Sequence, residues 1–358
     1  MKENFKGRRV LITGDTGFKG AWLSLWLHQM GAQVYGYARP ENSSEDLFYR
    51  LGLRDRIDHT DGDICDPVAL EAAFDRAQPE VVFHLAAQAL VRDSYVDPVE
   101  NYNTNLMGSV QVLEAVRRHH ETVRSFIYVT SDKCYQNNEW VHGYREEDRL
   151  GGKDPYSASK AAAELIFASY RHSFLDALPQ LGCASVRAGN VIGGGDWAKD
   201  RIVPDTIRAL HKQEPVLLRS AAATRPWQHV LEPLSGYLHL AARFLDDPVT
   251  HRGAWNFGPS NKSNKTVGAL VDEIIRVWGR GSRSDAEVEN ALHEAGLLLV
   301  NCDKANLRLE WFPRWNFTQS IFETVDWYKR LLNGEDAFAV SCEQINRYES
   351  EATHAVSN

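Results

Sequence analysis

The sequence predicts an α/β protein, with a doubly wound parallel sheet joined to a smaller C-terminal α/β domain. Two observations indicate this class. In the first half of the chain, short runs rich in β-branched residues alternate with longer amphipathic stretches, which is the order of βαβ units. The run 80–86 is apolar almost throughout, as expected of a strand with both faces covered.

The predicted elements follow one another in this order. In the first half, strands are predicted at 10–13, 34–38, 81–85, 126–130 and 183–186, and helices at 18–29, 101–119 and 155–174. Beyond Gly189 the pattern becomes irregular, with three consecutive glycines at 193–195. Short elements are predicted there at 202–211, 235–245, 267–278 and 317–332.

These elements divide the chain into two domains. The first comprises residues 1–189, and the chain returns to it at about 230–256. The second comprises residues 190–345, is partly interleaved with the first and is expected to bind substrate. Residues 346–358 are mostly polar, which predicts a frayed C-terminal tail.

Composition and charge exclude several classes of partner. There are 40 Lys and Arg residues against 48 Asp and Glu, a net charge of -8, so no overall basic field attracts nucleic acid or an anionic membrane. No apolar run approaches the roughly 20 residues that span a bilayer, and the N-terminus lacks a signal-peptide core. The five cysteines are scattered without a C-x-x-C pair, and the histidines show no metal-ligand spacing. We therefore expect a cytoplasmic protein without metal, nucleic-acid partner or membrane contact.

Directly after the first strand, Gly14, Gly17 and Gly20 form a Gly-x-x-Gly-x-x-Gly run that opens the first long helix. Strand, turn and helix in this order are typical of a Rossmann-like dinucleotide site. The glycines permit a tight turn and a close approach of backbone to pyrophosphate, and the first N–H groups of the helix face the phosphates. We assign cofactor binding to this turn, including Thr16 and Phe18.

Two further segments fit the same cofactor site. The first segment is Asp63-Ile64, where the Asp63 carboxylate can accept a hydrogen bond from the amino group of adenine. The second is Leu85-Ala86-Ala87, whose small residues leave room for a cofactor to lie over them. Taken alone, these segments fit equally well with a solvated Asp and with ordinary strand packing.

Arg39 bears on the choice between NAD and NADP. The second strand ends without an obvious acid at the ribose position. An Arg there can receive a 2′-phosphate, or it can simply lie exposed in solvent. We include Arg39 among the cofactor residues, and the residues alone leave the choice of dinucleotide open.

Tyr156 and Lys160 are four residues apart at the start of a later helix, so both project from one face. Because a neighbouring ammonium favours the phenolate, we expect Lys160 to lower the pKa of Tyr156 below its usual value of about 10. That change makes Tyr156 a better general base. Lys160 is also expected to hold the nicotinamide ribose, so the pair indicates hydride-transfer chemistry.

These motifs together resemble the extended short-chain dehydrogenase/reductase family, and the similarity covers nearly the whole chain. In that family, the strand before the Tyr helix delivers a Ser or Thr toward the substrate hydroxyl. Ser131 matches this position. The resemblance therefore implies that Ser131, Tyr156 and Lys160 act together.

The two residues after Ser131 narrow the resemblance. Sugar-nucleotide 4,6-dehydratases carry an acid-base pair at this place, and Asp132-Lys133 is similar to the pair in those that act on CDP-glucose. The alternative for this pair is a surface ion pair in a loop. Further motifs that carry the same resemblance lie at 17–20, 84–88, 91–95, 187–197 and 225–230.

The resemblance implies a reaction in which hydride moves from C4 to C6 of one sugar through NAD. Tyr156 takes the proton of the glucose 4-hydroxyl while Ser131 shares its hydrogen bond, and Asp132 gives a proton to the departing 6-hydroxyl. Lys133 either acts as a base with a lowered pKa or stays charged and stabilises the enolate. The expected product is CDP-4-keto-6-deoxyglucose. Because hydride returns to the same molecule, no external reductant is needed, and members of this type use NAD.

By position in the family, five residues are expected to contact the substrate. Gln88 and Asn190 are expected near the sugar, Arg201 and Arg225 at the diphosphate, and His229 or Trp227 nearby. Arg side chains suit this task because their planar fork matches phosphate oxygens.

The resemblance also implies a homodimer or homotetramer built through the helices at 101–119 and 155–174. It points to a role in making the deoxysugars of bacterial surface polysaccharides, such as the O-antigen of lipopolysaccharide.

Two other functions fit part of the sequence. An NDP-sugar 4-epimerase shares the fold, the cofactor, Ser131, Tyr156 and Lys160, but it has no use for Asp132-Lys133. A non-catalytic dinucleotide-sensing protein typically loses the Tyr or the Lys, and both are present here.

Asp15 departs from the pattern, because members of the CDP-glucose group commonly carry His at this place. A carboxylate beside a pyrophosphate repels it. We therefore expect the side chain of Asp15 to turn to solvent or to cap the helix.

Overall fold

A computed structural model describes residues 2–41, 43–260, 263–285 and 296–355. Seven of its strands form one sheet, and every neighbouring pair in it is parallel. These strands are β1 (Arg9–Thr13), β2 (Gln33–Ala38), β3 (Asp58–Asp61), β4 (Val81–His84), β5 (Ser125–Val129), β6 (Gly182–Ala188) and, later in the chain, β11 (Gly253–Phe257). The order across the sheet is β3-β2-β1-β4-β5-β6-β11, which is the doubly wound order extended by one strand.

Helices cover both faces of this sheet. The helices are α1 (Lys2–Phe5), α2 (Phe18–Gln29), α3 (Leu47–Arg50), α4 (Pro67–Ala77), α5 (Val91–Val96), α6 (Pro98–Tyr102), α7 (Ser109–Arg118), α8 (Pro155–Ser173), α9 (Ile202–Lys212), α10 (Leu231–Asp246), α11 (Val267–Trp278), α12 (Asp303–Arg308), α13 (Phe317–Leu332) and α14 (Ala337–Ala355). Residues of α2 and α10 belong to one apolar core, and residues of α4, α7 and α8 to another. The predicted α/β class, with a parallel sheet between helical layers, is confirmed.

The C-terminal part is built from α9, α11 and α13, which pack on one another, and from short strands. These strands are β7 (Val191–Ile192), β8 (Val216–Leu218), β9 (Thr224–Pro226), β10 (Gln228–His229), β12 (Asn264–Thr266) and β13 (Arg283–Asp285). The segment 230–256 forms α10 and β11, and β11 joins the large sheet beside β6. The division into two domains at the predicted boundaries stays a prediction.

A frayed C-terminal tail was predicted at 346–358. This prediction is wrong for the residues up to 355, because α14 continues to Ala355. Tyr348 in this helix is fully buried. The indole N–H groups of Trp26 and Trp315 donate hydrogen bonds to Glu349 at 2.8 Å and to Glu351 at 2.6 Å. These contacts hold the polar helix to α2 and to the segment before α13. Residues 356–358 lie outside the described residues.

A wide π-helical turn at Asn103–Gly108 interrupts the helix that was predicted at 101–119. Asn105 in this turn is buried. Its amide Nδ2 donates to the hydroxyl of Ser159 at 2.9 Å, and its Oδ1 accepts the backbone N–H of Gln88 at 2.9 Å. The turn therefore links the loop after β4 to the helix α8.

Within the described ranges, none of the helices combines the length and the apolar character that crossing a membrane requires.

Candidate active site

One cleft crosses the carboxyl ends of the parallel strands, and residues of the C-terminal part form its opposite wall. In doubly wound sheets, ligands bind at this edge, where the strand order reverses on either side of the first strand. Every residue predicted to bind the cofactor or to act in catalysis lines this cleft, and so do Asn190, Arg201 and Arg225. The positions of these residues make the cleft the candidate active site.

The turn between β1 and α2 has a shape that only glycines allow. Gly14 has a φ of +81°, and a Cβ there would lie 2.6 Å from the backbone nitrogen of Ala86. A Cβ on Gly20 would lie 2.0 Å from the carbonyl oxygen of Gly14. Gly17 begins the helix without any side-chain cap, so the first N–H groups of α2 are open to an anion. This arrangement fits the pyrophosphate of a dinucleotide.

The remaining cofactor residues lie along the same wall. They are Thr16, Phe18, Arg39, Asp63, Ile64, Leu85, Ala86 and Ala87. Asp63 Oδ1 accepts the backbone N–H of Cys65 at 2.8 Å, which holds its carboxylate at the wall. The guanidinium of Arg39 forms an exposed ion pair with Glu100 at 3.3 Å. Arg39 therefore already has an anionic partner on the protein.

Asp15 neither turns to solvent nor caps the helix, so that expectation is wrong. Its side chain is fully buried, and Oδ2 lies 2.7 Å from Nδ1 of His59. Burial opposes a charge on His59, but the hydrogen bonds to Asp15 and Asp61 raise its pKa. A Cβ at position 36 would lie 1.9 Å from Asp15 Oδ2, so Gly36 makes the room for this carboxylate. Burial raises the pKa of Asp15, and the hydrogen bond with His59 opposes this rise, so the carboxyl expected to repel a pyrophosphate has a partner inside the protein.

Two local structures bring the catalytic side chains together. After β5, Ser131 opens a tight turn in which its Oγ accepts the backbone N–H of Lys133 at 3.2 Å. Asp154 caps α8 by accepting the N–H of Ser157 at 2.8 Å, and a proline follows it as the first helical residue. This start of the helix places Tyr156 near Ser131, which acts to lower the pKa of the phenol. Lys160 lies one turn further along and is also buried.

Burial dominates the electrostatics of Tyr156 and Lys160. It raises the pKa of Tyr156 to about 12, although the nearby Ser131 hydroxyl opposes this rise. It lowers the pKa of Lys160 to about 8, although Glu164 opposes this fall. The expectation that the pKa of Tyr156 lies below its usual value is therefore wrong for this structure, because desolvation of the phenolate is the largest influence on it. The protein holds Tyr156 as a phenol.

A buried network behind the catalytic residues was missed by the sequence analysis. Glu164 accepts hydrogen bonds from Thr130, from Ser185 at 2.8 Å and from Arg187 at 2.7 Å. Arg187 also donates to the hydroxyl of Tyr135 at 2.7 Å. Glu164 could have been found from its spacing, because it lies eight residues after Tyr156 and so shares a helix face with it.

Two of the predicted substrate residues are not among those that line the cleft. His229 is fully buried, with its ring packed between Trp22 and Trp315, and burial lowers its pKa to about 3. Gln88 donates to the carbonyl of Leu90 at 3.0 Å and accepts from Asn101 at 2.7 Å, and it does not line the cleft. The assignment of His229 is wrong, because its ring lies in the protein interior, whereas that of Gln88, whose neighbours Ala87 and Ala89 line the cleft, stays a prediction.

The other predicted substrate residues lie at the C-terminal wall. Arg201 pairs with Asp196 at 2.9 Å, and Arg225 is buried and donates to the carbonyl of Thr224 at 2.9 Å. At the same wall, Asp200 accepts hydrogen bonds from Arg92 at 3.0 Å and from Arg219 at 2.9 Å. The sequence analysis did not assign Arg219. Together these side chains make this wall rich in guanidinium groups.

Comparisons with known proteins agree with this geometry. The family model described as GDP-mannose 4,6 dehydratase matches residues 11–324. The chain is 46% identical over 356 residues to a CDP-glucose 4,6-dehydratase of Salmonella typhimurium, covering 98% of this chain and 99% of the relative. It is 24% identical to a dTDP-glucose 4,6-dehydratase of Shigella flexneri, over 91% of this chain and 94% of that one.

Solved structures share the fold. A dTDP-glucose 4,6-dehydratase from Bacillus anthracis, solved in complex with NAD, has a TM-score of 0.76 at 22% identity, covering 91% of this chain and 97% of that chain. An epimerase from Methanothermobacter thermautotrophicus has a TM-score of 0.81 at 23% identity, with coverage of 93% and 95%. At such identities the likeness concerns the fold alone. The family match and the relative at 46% identity show that the chain belongs to the extended short-chain dehydrogenase/reductases, in the GDP-mannose 4,6 dehydratase family.

Proposed function

We propose that the protein is a NAD-dependent hydro-lyase that converts CDP-D-glucose to CDP-4-keto-6-deoxy-D-glucose and water. The observation that carries this proposal is the position of Asp132-Lys133. The pair follows Ser131 in the wall of the cleft that also holds Tyr156 and Lys160. Asp132 is only 3% exposed, so the pair is not a solvated surface ion pair. The relative at 46% identity supports the choice of substrate.

The residues of the first wall fit NAD. The turn at Gly14 and the open start of α2 suit its pyrophosphate, and Asp63 lies at the wall proposed for adenine. Held by these residues, NAD⁺ would supply a hydride acceptor for the oxidation at C4, a positive charge that favours the Tyr156 phenolate and, once reduced, a hydride donor for C6. The ion pair between Arg39 and Glu100 supports NAD over NADP, because a 2′-phosphate would compete with Glu100 for Arg39.

Tyr156 and Ser131 act in the first stage. Tyr156 takes the proton of the 4-hydroxyl, and Ser131, which acts to lower the pKa of Tyr156, favours the phenolate that this transfer requires. Because burial raises the pKa of Tyr156, the phenolate forms only with such support. Lys160 lies one helical turn away, and we assign it to holding the ribose of the cofactor.

Asp132 and Lys133 act in the second stage. The 4-ketone acidifies the proton at C5, and Asp132 protonates the departing 6-hydroxyl so that it leaves as water. Lys133 lines the cleft beside Asp132, where it accepts the C5 proton as a neutral amine or stabilises the enolate as a cation. A 4-epimerase leaves the 6-hydroxyl in place and needs no acid-base pair beside it, so the placement of this pair favours the dehydratase.

The C-terminal wall suits a nucleoside diphosphate. Arg201, Arg219 and Arg225 all line the cleft there. One guanidinium group can donate two parallel hydrogen bonds to the oxygens of a phosphate. Asn190 lies between this wall and the catalytic residues, a position suited to a sugar hydroxyl. We therefore assign the diphosphate to the arginines and the sugar to Asn190, in the part of the chain proposed as the substrate domain.

CDP-glucose deuterated at C4 tests this function directly. The purified protein is incubated with NAD⁺ and the labelled sugar nucleotide, and the label is followed by NMR and mass spectrometry, with dTDP-glucose and GDP-glucose as controls. Deuterium at C6 together with loss of water is the expected result. Label retained at C4 in a galacto-configured product would indicate an epimerase, and an absence of turnover with all three would favour a dinucleotide-sensing protein.

A homo-oligomer follows from the same proposal. Exposed apolar side chains occur on α5 to α8, including Val96 at 86%, Val99 at 76% and Leu165 at 60% exposure. A patch of this kind marks a protein interface, and α6 to α8 include the helices predicted to form a dimer or tetramer. Gel filtration with light scattering checks this, and a monomer at micromolar concentration would contradict it.

We infer a cytoplasmic location and a role in deoxysugar synthesis for surface polysaccharides. The five cysteines are all unpaired in the structure, which suits a reducing compartment. The location can be checked by cell fractionation with antibody detection.

A further inference from the structure

The backbone N–H of Tyr156 needs a partner from outside α8. The N–H groups at the start of a helix find no carbonyl one turn back. In this helix Pro155 has no N–H, and the side chain of Asp154 accepts the N–H of Ser157 at 2.8 Å. The regular ladder begins with Ala158, whose N–H donates to the carbonyl of Asp154 at 2.9 Å. Of the positions 155–157, only the residue that carries the reactive phenol still has an N–H to satisfy.

Ser94 of α5 supplies this partner. Its Oγ accepts the backbone N–H of Tyr156 at 3.2 Å and donates its own proton to the carbonyl of Val91 at 2.6 Å. The second bond fixes the direction of the hydroxyl and leaves its lone pairs for Tyr156. Because Ser94 is fully buried, bulk water does not compete for this contact. One side chain, 62 residues earlier in the chain, therefore anchors the backbone of Tyr156.

The carbonyl of Tyr156 is held from a different side. The hydroxyl of Ser159 donates to it at 2.7 Å, and Asn105 donates to Ser159 at 2.9 Å. Ser94 differs from this support, because α5 packs against α8 and its first three residues line the cleft. The bond from Ser94 thus joins the wall of the cleft to the backbone of Tyr156.

We propose that Ser94 is a positioning residue for the oxidation at C4, where its hydroxyl fixes the backbone of Tyr156 so that the phenol meets the 4-hydroxyl. The inference rests on the proposed function. In that step the O–H bond of the 4-hydroxyl breaks and its proton joins the oxygen of Tyr156. The C4–H bond breaks as well, and its electron pair leaves as hydride for the cofactor, so C4 is oxidised and the cofactor is reduced. Ser94 takes no part in the proton transfer and acts through Tyr156.

The position of Tyr156 explains why this anchor matters for the rate. Its hydroxyl lies at the end of a long side chain in the first turn of α8, and helix ends fray. A small shift of the backbone is therefore enlarged at the phenol. A misplacement of about 1 Å costs on the order of 100-fold in rate. Without the Ser94 hydroxyl, we expect oxidation at C4 to slow between about 10-fold and about 100-fold.

The test compares Ser94→Ala with Ser94→Thr, which keeps a hydroxyl, and with Ser125→Ala as a matched control. Ser125 is also fully buried, it begins β5 at the end of the strand away from the cleft, and its Oγ has no hydrogen-bond partner among the described residues. Each holoenzyme, in excess over CDP-glucose, reacts in a single turnover, and quenched samples are analysed by mass spectrometry.

For Ser94→Ala we expect consumption of CDP-glucose and formation of the product to slow together, between about 10-fold and about 100-fold. No 4-ketone intermediate should accumulate, because the slowed step comes first. Ser94→Thr should recover most of the rate, and Ser125→Ala should react like the unmodified protein. Reaction of Ser94→Ala at the normal rate would overturn the proposal.

Calorimetric titration with NAD⁺ and with CDP separates misplacement from unfolding and from weaker binding. For Ser94→Ala we expect unchanged dissociation constants and an unchanged number of sites. Weaker binding would overturn the proposal and assign α5 to binding, and fewer sites with a normal rate per site would mean that Ser94 only stabilises the fold. If Ser94→Ala does not fold, as judged by circular dichroism, Ser94→Cys is measured with the same expectation, because a thiol is a weak acceptor. Failure of the proposed function looks different, because the unmodified protein would then convert no CDP-glucose.

Discussion

Glu232 makes the stability of the protein depend on pH, and its replacement by glutamine removes that dependence. The side chain lies fully buried in α10. It accepts the backbone N–H of Trp315 at 2.7 Å and of Arg314 at 3.0 Å, and the hydroxyl of Tyr348 at 2.8 Å. These bonds join α10 to the segment before α13 and to α14. Burial nevertheless raises the pKa of Glu232 from 4.5 to about 7.

The sign of the effect follows from the direction of this change. Between pH 4.5 and about 7 the folded protein keeps a proton on Glu232 that the unfolded chain has lost, so raising the pH favours unfolding. Each tenfold change in proton affinity corresponds to about 1.4 kcal/mol. The group therefore contributes about 3 kcal/mol of stability at acidic pH, and this contribution is lost as the pH rises through about 7.

Urea unfolding followed by tryptophan fluorescence measures this effect between about pH 5 and pH 8. The free energy of unfolding of Glu232→Gln, relative to the unmodified protein, should rise with pH by up to about 3 kcal/mol. Glu121→Gln is the control, because Glu121 is exposed and its replacement should leave the curve unchanged. Parallel curves for Glu232→Gln and the unmodified protein would refute the reasoning, since they would mean that the three donors keep Glu232 ionised throughout.

Three further predictions concern the cleft. Burial lowers the pKa of Lys160 to about 8, so its positive charge is lost as the pH rises through that value. The value of kcat/KM for CDP-glucose should therefore fall above about pH 8. A flat profile to about pH 9 would contradict this prediction. The Asp132→Asn variant should oxidise C4 at the normal rate but lose water more slowly, on the order of 100-fold. The 4-ketone should then accumulate in quenched reactions. Equal slowing of both steps would contradict an acid role for Asp132. The Gly14→Ala variant should bind NAD⁺ at least about 10-fold more weakly in calorimetry, because the added Cβ would lie 2.6 Å from the backbone nitrogen of Ala86. An unchanged dissociation constant would show that the turn can rearrange to accommodate the Cβ.

Much of the sheet could be predicted because its strands and helices carry regular apolar patterns. The helix predicted at 18–29 matches α2, and those predicted at 267–278 and 317–332 match α11 and α13. By contrast, β3 was missed, since its sequence Asp58–Asp61 is entirely polar and becomes a strand only by pairing with β2. The helix α14 was missed for a similar reason, because its stability depends on contacts of Tyr348 with distant residues.

The candidate site could be predicted where chemistry depends on spacing along the chain. Tyr156 and Lys160 share a helix face, and Ser131 to Lys133 follow a strand, so the sequence alone brings them to one edge of the sheet. It did not show that desolvation controls the pKa of Tyr156, because burial depends on the whole fold. His229 was misassigned for the same reason, since only the folded structure puts Trp22 and Trp315 around its ring.

The wide turn at Asn103–Gly108 limits how this helix can change in length. A π-helical turn contains one residue more than a regular one, and each helical residue rotates the chain by about 100°. Deleting one residue there would keep α7 helical but rotate it about its axis. Either Asn105 would lose its hydrogen bonds with Ser159 and Gln88, or the apolar face of α7, with Val112 and Val116, would turn out of the core. The extra residue lets one continuous helix present an amide to the catalytic helix and an apolar face to the sheet.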